Sequence, residues 1–176
     1  LGKVRDTENA LWSLAPHDVS VVLRLIKSEP AQVTALGAAF IRKDIEDMVF
    51  LTVKFKNGAV ANIHVSWLDP TKTRKMILIG SKKMAIFDEM SAQSMLTLAD
   101  KGVDISSDHT LILRSGKDEG IELDRQEPLK LECQHFIDCV KTGAEPLSNG
   151  ENGLQVLKVL TAAERSLKNG GANELL

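Results

Sequence analysis

Two alternating apolar segments, residues 48–55 and 59–67, constrain the fold of this chain more than any other feature. They are joined by a Lys-Asn-Gly sequence ending at Gly58, which is typical of a tight β-hairpin. A two-residue Asn-Gly turn would mix apolar and polar side chains on both faces of the hairpin. A three-residue loop with Gly58 left-handed instead sets Leu51 opposite Ile63 and keeps one face apolar. Because register must bury one face, we predict the three-residue loop.

The second face of this hairpin has a mixed character. It would carry Phe50, Thr52, Lys54, Val60, Asn62, His64 and Ser66. Such a face is too apolar for a fully hydrated surface and too polar for a core. One interpretation is a half-solvated sheet face. The other, which we favour, is an oligomer interface that packs on a partner subunit.

The order of the predicted elements indicates the fold class. A helix starts near Pro16, many consecutive strands follow, and two helices close the chain. The predicted strands are 32–40, 48–55, 59–67, 74–79 and 83–88, with shorter ones at 94–98, 103–106, 109–114 and 119–123. The closing helices are predicted over 129–142 and between Ser148 and Gly170. Because strands do not alternate one-for-one with helices, we predict a single α+β domain over 1–176, with an open, mainly antiparallel sheet and helices on one face.

Composition argues against several classes of function. The 176 residues carry a formal net charge of −2 and only 4% aromatic side chains, which argues against a nucleic-acid-binding surface. The apolar runs are short, so no membrane span is predicted. Cys133 and Cys139 share a predicted helix with Cα atoms roughly 9 Å apart, beyond disulfide reach. Two reduced thiols indicate a cytoplasmic protein, and the lack of CxxC and HExxH patterns argues against a metal site.

Among the histidines, His17 is the strongest candidate for acid–base chemistry. The pattern places it in the first turn of the helix predicted from Pro16, where the positive end of the helix dipole disfavours the imidazolium. A neutral imidazole can accept or relay a proton near neutral pH. The alternative is a packing or capping histidine, and spacing alone favours that alternative. Ser13 is a possible cap of the helix.

Polar residues precede this helix. Lys3, Arg5, Glu8 and Asn9 would form the rim of a sugar or phosphate pocket, with Arg5 making bidentate hydrogen bonds to anionic oxygens. Trp12 would stack on a sugar or base face. The alternative for the polar residues is an ordinary solvated segment before the helix. The alternative for Trp12 is a core residue.

Three stretches of the chain carry a resemblance to a known family. They read ENALWSLAPHDVSVVLRLI (8–26), KNGAVANIHVSWLDPTKTRKMILIGSKKMAIFDE (56–89) and ECQHFIDCVKTGAEPLSNGENGLQVLKVLTAAERSL (132–167). Together they resemble the C-terminal domain of the glucose–fructose oxidoreductase / inositol dehydrogenase / MocA (Gfo/Idh/MocA) family. The resemblance is to its nucleotide-sugar branch in particular, the UDP-N-acetylglucosamine and UDP-N-acetylglucosaminuronate 3-dehydrogenases.

The resemblance implies an NAD(P)-dependent dehydrogenase whose N-terminal Rossmann domain, expected outside this chain, binds NAD or NADP. The present chain would be the substrate-binding and oligomerisation domain, forming a dimer or tetramer through its free sheet face. His17 would correspond to the family's active-site histidine, accepting the proton of the sugar hydroxyl as hydride passes to the nicotinamide. Arg5, Asn9, Trp12 and Ser13 would line the substrate side. Alone, this chain would bind no cofactor and would be inactive.

The sequence departs from the family pattern in two respects. The inositol dehydrogenase pattern places an aspartate four residues before the histidine, and Ser13 stands there instead, so an Asp–His pair is not carried over. The Rossmann half is also absent from the sequence, and with it the Glu-Lys-Pro segment whose lysine is central in this family. No GxGxxG, GxxxxGK[ST] or GxSxG motif is present, so a cofactor fingerprint would lie elsewhere. The alternative function is a non-catalytic oligomerisation or interaction module that acts through the mixed face.

Overall fold

The computed structural model describes residues 4–124 and 126–176, so Lys3 of the predicted polar rim lies outside the described residues. These residues form two compact units, one made of the residues up to Pro70 with His135–Leu176 and the other of Thr71–Gln134. The elements in chain order are α1 (Ala10–Leu25), β1 (Pro30–Ala38), β2 (Met48–Phe55), β3 (Val60–Ser66), β4 (Lys75–Ile79), β5 (Met84–Asp88), β6 (Leu96–Ile105), β7 (Leu111–Ile121), α2 (Pro128–Thr142), α3 (Gly150–Lys168) and β8 (Glu174–Leu175). Helices and open antiparallel sheets confirm the predicted α+β class.

The first unit is built on a four-stranded sheet with the order β3-β2-β1-β8. Both α1 and α3 pack against one face of this sheet. The buried side chains of that face are Val33, Ala35, Val49, Leu51, Val53, Phe55, Ile63 and Val65. Full burial of each aliphatic side chain stabilises the fold by roughly 1.5–3 kcal/mol before entropic costs. The core therefore lies between the sheet and the two helices.

The β2–β3 hairpin has the predicted register. Leu51 lies opposite Ile63, and the loop is closed by a hydrogen bond from the Gly58 amide to the Phe55 carbonyl at 3.0 Å. Gly58 has a φ of +86°, the left-handed conformation that glycine adopts without strain. The three-residue loop is thus confirmed.

The first helix begins earlier than predicted. It starts at Ala10, and Asn9 is its N-cap, so Pro16 lies in the helix interior and Ser13 is not the cap. The proline lacks an N–H and leaves the Trp12 carbonyl without its usual intrahelical donor, a cost that burial of apolar residues on both sides of it offsets. The Asn9 cap and the buried residues before Pro16 are the reasons the helix starts there.

The second unit is a four-stranded antiparallel sheet with the order β4-β5-β6-β7. Strands β6 and β7 are continuous where we predicted four shorter strands. The break expected near Gly102 is a register shift between Ala99 and Lys101 within one strand. A β-bulge of this kind bends a strand without ending it, and glycine is common at such places.

The two closing helices lie where the sequence places them, but they differ in burial. In α3 the buried residues include Val159 and Leu160, whereas in α2 only Cys139 is buried among the described side chains. Phe136 and Val140, which helical spacing sets on one stripe of α2, are 63% and 69% exposed. No helix of the described chain is long and apolar enough to cross a membrane.

Candidate functional site

The candidate site is the side of α1 that faces away from the sheet. His17 is exposed there, and Ser13 lies one turn earlier on the same side of the helix, since residues four apart are neighbours. The buried residues Leu11, Ala15 and Val19 occupy the opposite side. The helix thus keeps the imidazole out of the core and open to a ligand.

His17 lies too far from the start of α1 for the helix dipole to act on its imidazole. His17 follows the helix start at Ala10 by two turns, whereas the dipole acts within the first turn. The prediction that His17 occupies the first turn is therefore wrong, because the helix begins at the Asn9 cap rather than at Pro16. What remains is an accessible imidazole on a helix that is anchored at its N-terminal end.

Asn9 has both ends of its side-chain amide engaged. Its Oδ1 atom accepts a hydrogen bond from the Trp12 amide at 3.2 Å, which caps the helix. Its Nδ2 atom donates to Glu46 Oε2 at 2.7 Å. An amide nitrogen carries two hydrogens, and Glu46 takes one of them.

Charged residues surround the start of α1 in loosely paired positions. Arg5 Nε lies 3.8 Å from Glu8 Oε1, and Arg42 Nη1 lies 3.6 Å from Asp6 Oδ2. All four side chains are at least one-third exposed, so these ion pairs contribute little to stability. Arg5 is therefore able to exchange its carboxylate partner for an anionic ligand at small cost.

Trp12 is half-buried and packs against the core, but one side of it lines an open groove. The groove has a volume of about 720 Å³ and lies between α1 and the N-terminal half of α3. Its lining is Trp12, Pro16, Ser20, Gly150, Gly153, Leu154, Val156, Leu157 and Leu160. Trp12 thus packs against the core and also lines a recess, and its stacking on a sugar or base face stays a prediction.

Sequence reasoning missed Glu46 and Asp47. Asp47 is only 1% exposed, and its Oδ2 atom accepts hydrogen bonds from the Phe40 and Ile41 amides at 2.6 and 2.9 Å. Glu46 binds Asn9 and so reaches the helix that carries His17. In the sequence both are ordinary acidic residues before a strand, and no motif distinguishes them.

A side-chain hydrogen bond lowers the pKa of several carboxyl groups below the ordinary value of that residue type. The pairs of carboxyl group and principal donor are Glu29 with Lys56, Asp108 with Ser106, and Glu174 with Arg165. These groups lie outside α1. Within residues 4–124 and 126–176, no three His, Cys, Asp or Glu side chains are grouped as a metal site would require.

Comparison with known proteins shows what this chain is similar to. Residues 3–86 match the model of the GFO/IDH/MocA C-terminal domain. A curated relative, the UDP-N-acetylglucosamine 3-dehydrogenase of Acidithiobacillus ferrooxidans, is 24% identical over 149 residues, which is 85% of this chain and 45% of that protein. The chain therefore spans about half the length of the curated relative it matches.

Solved structures share the fold. The UDP-N-acetylglucosamine 3-dehydrogenase GnnA of A. ferrooxidans superposes with a TM-score of 0.80 at 22% identity, covering 93% of this chain and 50% of that one. The WlbA dehydrogenase of Bordetella pertussis, solved with NADH and UDP-GlcNAcA, gives 0.67 at 21% identity, covering 96% and 45%. An aldose-aldose oxidoreductase of Caulobacter crescentus, solved with glycerol, gives 0.74 at 20% identity, covering 96% and 48%. The resemblance to the GFO/IDH/MocA C-terminal domain that was read from the sequence is thereby confirmed over residues 3–86.

Proposed function

We propose that this chain, over residues 1–176, is the substrate-binding domain of an NAD(P)-dependent dehydrogenase that oxidises a hydroxyl group of a nucleotide sugar. The substrate class is a UDP-N-acetylhexosamine or its uronate. The observation that carries the proposal is the exposed His17 on the free side of α1, inside the segment that matches the family. The kind of relative found, a UDP-N-acetylglucosamine 3-dehydrogenase, supports the substrate class.

The chemistry assigned to His17 is proton transfer. Oxidation of a secondary alcohol to a ketone removes a hydride from carbon and a proton from oxygen. The unprotonated imidazole of His17 takes the hydroxyl proton as the hydride leaves, which avoids a protonated ketone of high energy. When bound, NAD(P) supplies the hydride acceptor. Because the sequence contains no GxGxxG fingerprint, we assign cofactor binding to a Rossmann domain outside this sequence, and no residue of this chain holds the cofactor.

The substrate side comprises the residues around the start of α1. Arg5 pairs with an anionic group of the substrate in place of Glu8, and Ser13 donates or accepts a hydrogen bond next to His17. Asn9 offers its second amide hydrogen, and Trp12 provides an apolar wall against a sugar face. These roles rest on proximity along one helix and its lead-in.

The test is His17→Ala in the enzyme that includes the NAD-binding domain, with UDP-N-acetylglucosamine oxidation followed by NADH absorbance. We expect kcat/KM to fall by about 10²–10⁴-fold, the usual contribution of general acid–base catalysis. The control is His109→Asn, because His109 is an exposed histidine with a φ of +65° that asparagine tolerates. If His17→Ala keeps its kcat/KM within twofold of the wild type, the proposal is wrong. That result would favour the alternative, a non-catalytic oligomerisation or interaction module.

The same proposal includes a homo-oligomer formed through the outer face, which we define as the sheet face of β1–β3 opposite the helices. Its members are Thr34, Leu36, Phe50, Thr52, Lys54, Val60, Asn62, His64 and Ser66. Lysine 54 is its one permanently charged member, although 26% of the chain is charged. Depletion of charge together with exposed aromatic and aliphatic side chains is typical of the centre of a subunit interface.

We also propose a cytoplasmic location. Cys133 is an exposed free thiol and Cys139 a buried one. Unpaired cysteines are typical of reducing compartments, where glutathione and thioredoxin systems keep thiols reduced. Nucleotide sugars are charged, so they do not cross a lipid bilayer unaided. An enzyme that oxidises them is therefore expected in the compartment that holds both the substrate and the cofactor.

A further inference from the structure

The first turn of α1 is fastened to the loop before β2 by two hydrogen bonds to one residue. Asn9 Nδ2 donates to the Glu46 carboxylate at 2.7 Å, and the Ala10 amide donates to the Glu46 carbonyl at 2.8 Å. The Asn9 Oδ1 atom at the same time caps the Trp12 amide. Glu46 thus holds the residue that starts the helix through both its side chain and its backbone.

Glu46 is itself anchored to the core through its neighbour. The Asp47 amide donates to the Ala38 carbonyl at 2.9 Å, and the Asp47 carbonyl accepts from the Trp67 amide at 3.0 Å. Asp47 and Trp67 are each 1% exposed. These bonds join the ends of β1, β2 and β3, so the position of Glu46 is set by the rigid part of the first unit.

The hydrogen bonds of Glu46 affect the position of His17 because Pro16 interrupts the hydrogen-bond pattern of α1 just before His17. Since proline has no N–H, the Trp12 carbonyl lacks the intrahelical hydrogen bond that would tie the helix across this position. Proline in a helix interior commonly bends the axis. The angle at which His17, the next residue, is presented therefore depends in part on how the turns before Pro16 are held. The hydrogen bond between Asn9 and Glu46 holds them together with the core packing of Leu11 and Ala15.

We infer that Glu46 is a positioning residue for the reaction: its hydrogen bond to Asn9 fixes the first turns of α1 and thereby the place of His17 relative to the substrate. This inference rests on the proposed function. Glu46 touches neither substrate nor reacting atoms and acts through Asn9. A misplacement of about 1 Å at a catalytic group can cost roughly 100-fold in rate, which gives the effect a measurable size.

The experiment uses four variants of the enzyme that includes the NAD-binding domain. Glu46→Ala removes the acceptor, whereas Glu46→Gln keeps an amide oxygen that still accepts from Asn9. Asn9→Asp keeps the helix cap but sets two carboxylates against each other, so it breaks the contact with Glu46 and also removes the amide hydrogen offered to the substrate. The double variant Asn9→Asp with Glu46→Gln restores one hydrogen bond with donor and acceptor exchanged.

We expect kcat to fall about 10- to 100-fold in Glu46→Ala, with KM within about threefold of the wild type, and to fall at least as far in Asn9→Asp. Glu46→Gln should lie within about threefold of the wild-type kcat, and the double variant should have a kcat at least about threefold above that of Asn9→Asp. Each kcat is expressed per folded substrate-binding domain, measured from the thermal unfolding of that domain in each variant, so loss of folded protein does not count as loss of rate. A substrate deuterated at the oxidised carbon adds a second readout, since misplacement raises the isotope effect on kcat and loss of folded enzyme does not.

The outcomes separate the inference from the proposed function. If His17→Ala is inactive but Asn9→Asp keeps its kcat, positioning by Glu46 is wrong and the role of His17 stands. If the double variant has no higher kcat than Asn9→Asp alone, the hydrogen bond between positions 9 and 46 does not set the rate and the inference is again wrong. Asn9→Asp keeps its cap and is expected to fold, so the question is decided even if Glu46→Ala does not fold.

Discussion

The imidazole ring of His64 lies flat on the phenyl ring of Phe50, with ring centroids 4.5 Å apart and planes inclined by 12°. The two residues are directly opposite each other on β3 and β2, and Leu36 of β1 continues the same row. Leu36 and Phe50 are 56% and 51% exposed. An ordered row of exposed apolar groups across three strands has the character of a surface that packs on another protein.

Phe50→Asp should weaken self-association of the chain by at least tenfold. A carboxylate at the centre of an apolar row loses its hydration on association and gains no partner there. The measurement is sedimentation velocity over a concentration series. Val140→Asp is the control, because Val140 is 69% exposed but lies on α2 rather than on the sheet. A wild-type chain that stays monomeric at high concentration, or an oligomer that tolerates Phe50→Asp, would refute the interface.

The parts of the fold that sequence predicts well are those where one local rule dominates. Strict alternation in β2 and β3, with Gly58 available for the left-handed turn, determines the hairpin register without tertiary information. The start of α1 depends on two rules that disagree, the preference of proline for a first helical position and the preference of asparagine for a cap. Burial of Leu11 and Ala15 decides for Asn9, and burial is a tertiary effect.

The site could be predicted only as a set of residue types. That His17 is exposed follows from the helical phase once the true helix is known, and the mistaken start at Pro16 removed the dipole argument. The contact between Asn9 and Glu46 joins residues 37 positions apart, and no pattern in either segment points to the other. Long-range polar contacts of this kind are specified by the packed structure rather than by local sequence.

Two glycines with empty surroundings should respond to alanine with opposite signs. A Cβ added at Gly153 or at Gly58 meets nothing within 4 Å. Gly153 is helical, so Gly153→Ala should stabilise the chain by roughly 0.5–1 kcal/mol. Gly58 has a φ of +86°, so Gly58→Ala should destabilise it by about 1–2 kcal/mol. Thermal or urea unfolding measures both, and equal signs for the two variants would contradict the assigned backbone conformations.

Gly102→Ala should destabilise the second unit by about 1–3 kcal/mol. A Cβ at this position lies 2.6 Å from Arg114 Nη2. The guanidinium cannot move freely, because three of its nitrogens are engaged. Nε lies 3.0 Å from Asp100 Oδ1, Nη1 lies 2.6 Å from Asp104 Oδ1, and Nη2 donates to the Lys82 carbonyl. Hydrogen exchange of the β6 and β7 amides measures the loss. In an Arg114→Ala background the clash is gone, so Gly102→Ala should then cost much less, and a cost that persists there would contradict this explanation.

The carboxyl group of Glu174 should titrate below its ordinary pKa of 4.5, chiefly because Arg165 Nε donates a hydrogen bond to it at 2.8 Å. A carboxyl whose pKa is lowered by folding stabilises the folded state above 4.5, and this contribution is lost as pH falls from 4.5 through the lower folded value. Arg165→Met should move the titration midpoint of Glu174 back toward 4.5, as followed by the NMR shift of its carboxyl carbon. Lys168→Met, which removes the ion pair with Glu164, should leave that midpoint unchanged. The thermal stabilities of wild type and Arg165→Met should converge in acid, since protonated Glu174 no longer distinguishes them. If the difference in thermal stability between wild type and Arg165→Met stays constant from neutral pH to below the lowered pKa, the hydrogen bond to Glu174 is not the cause of that difference.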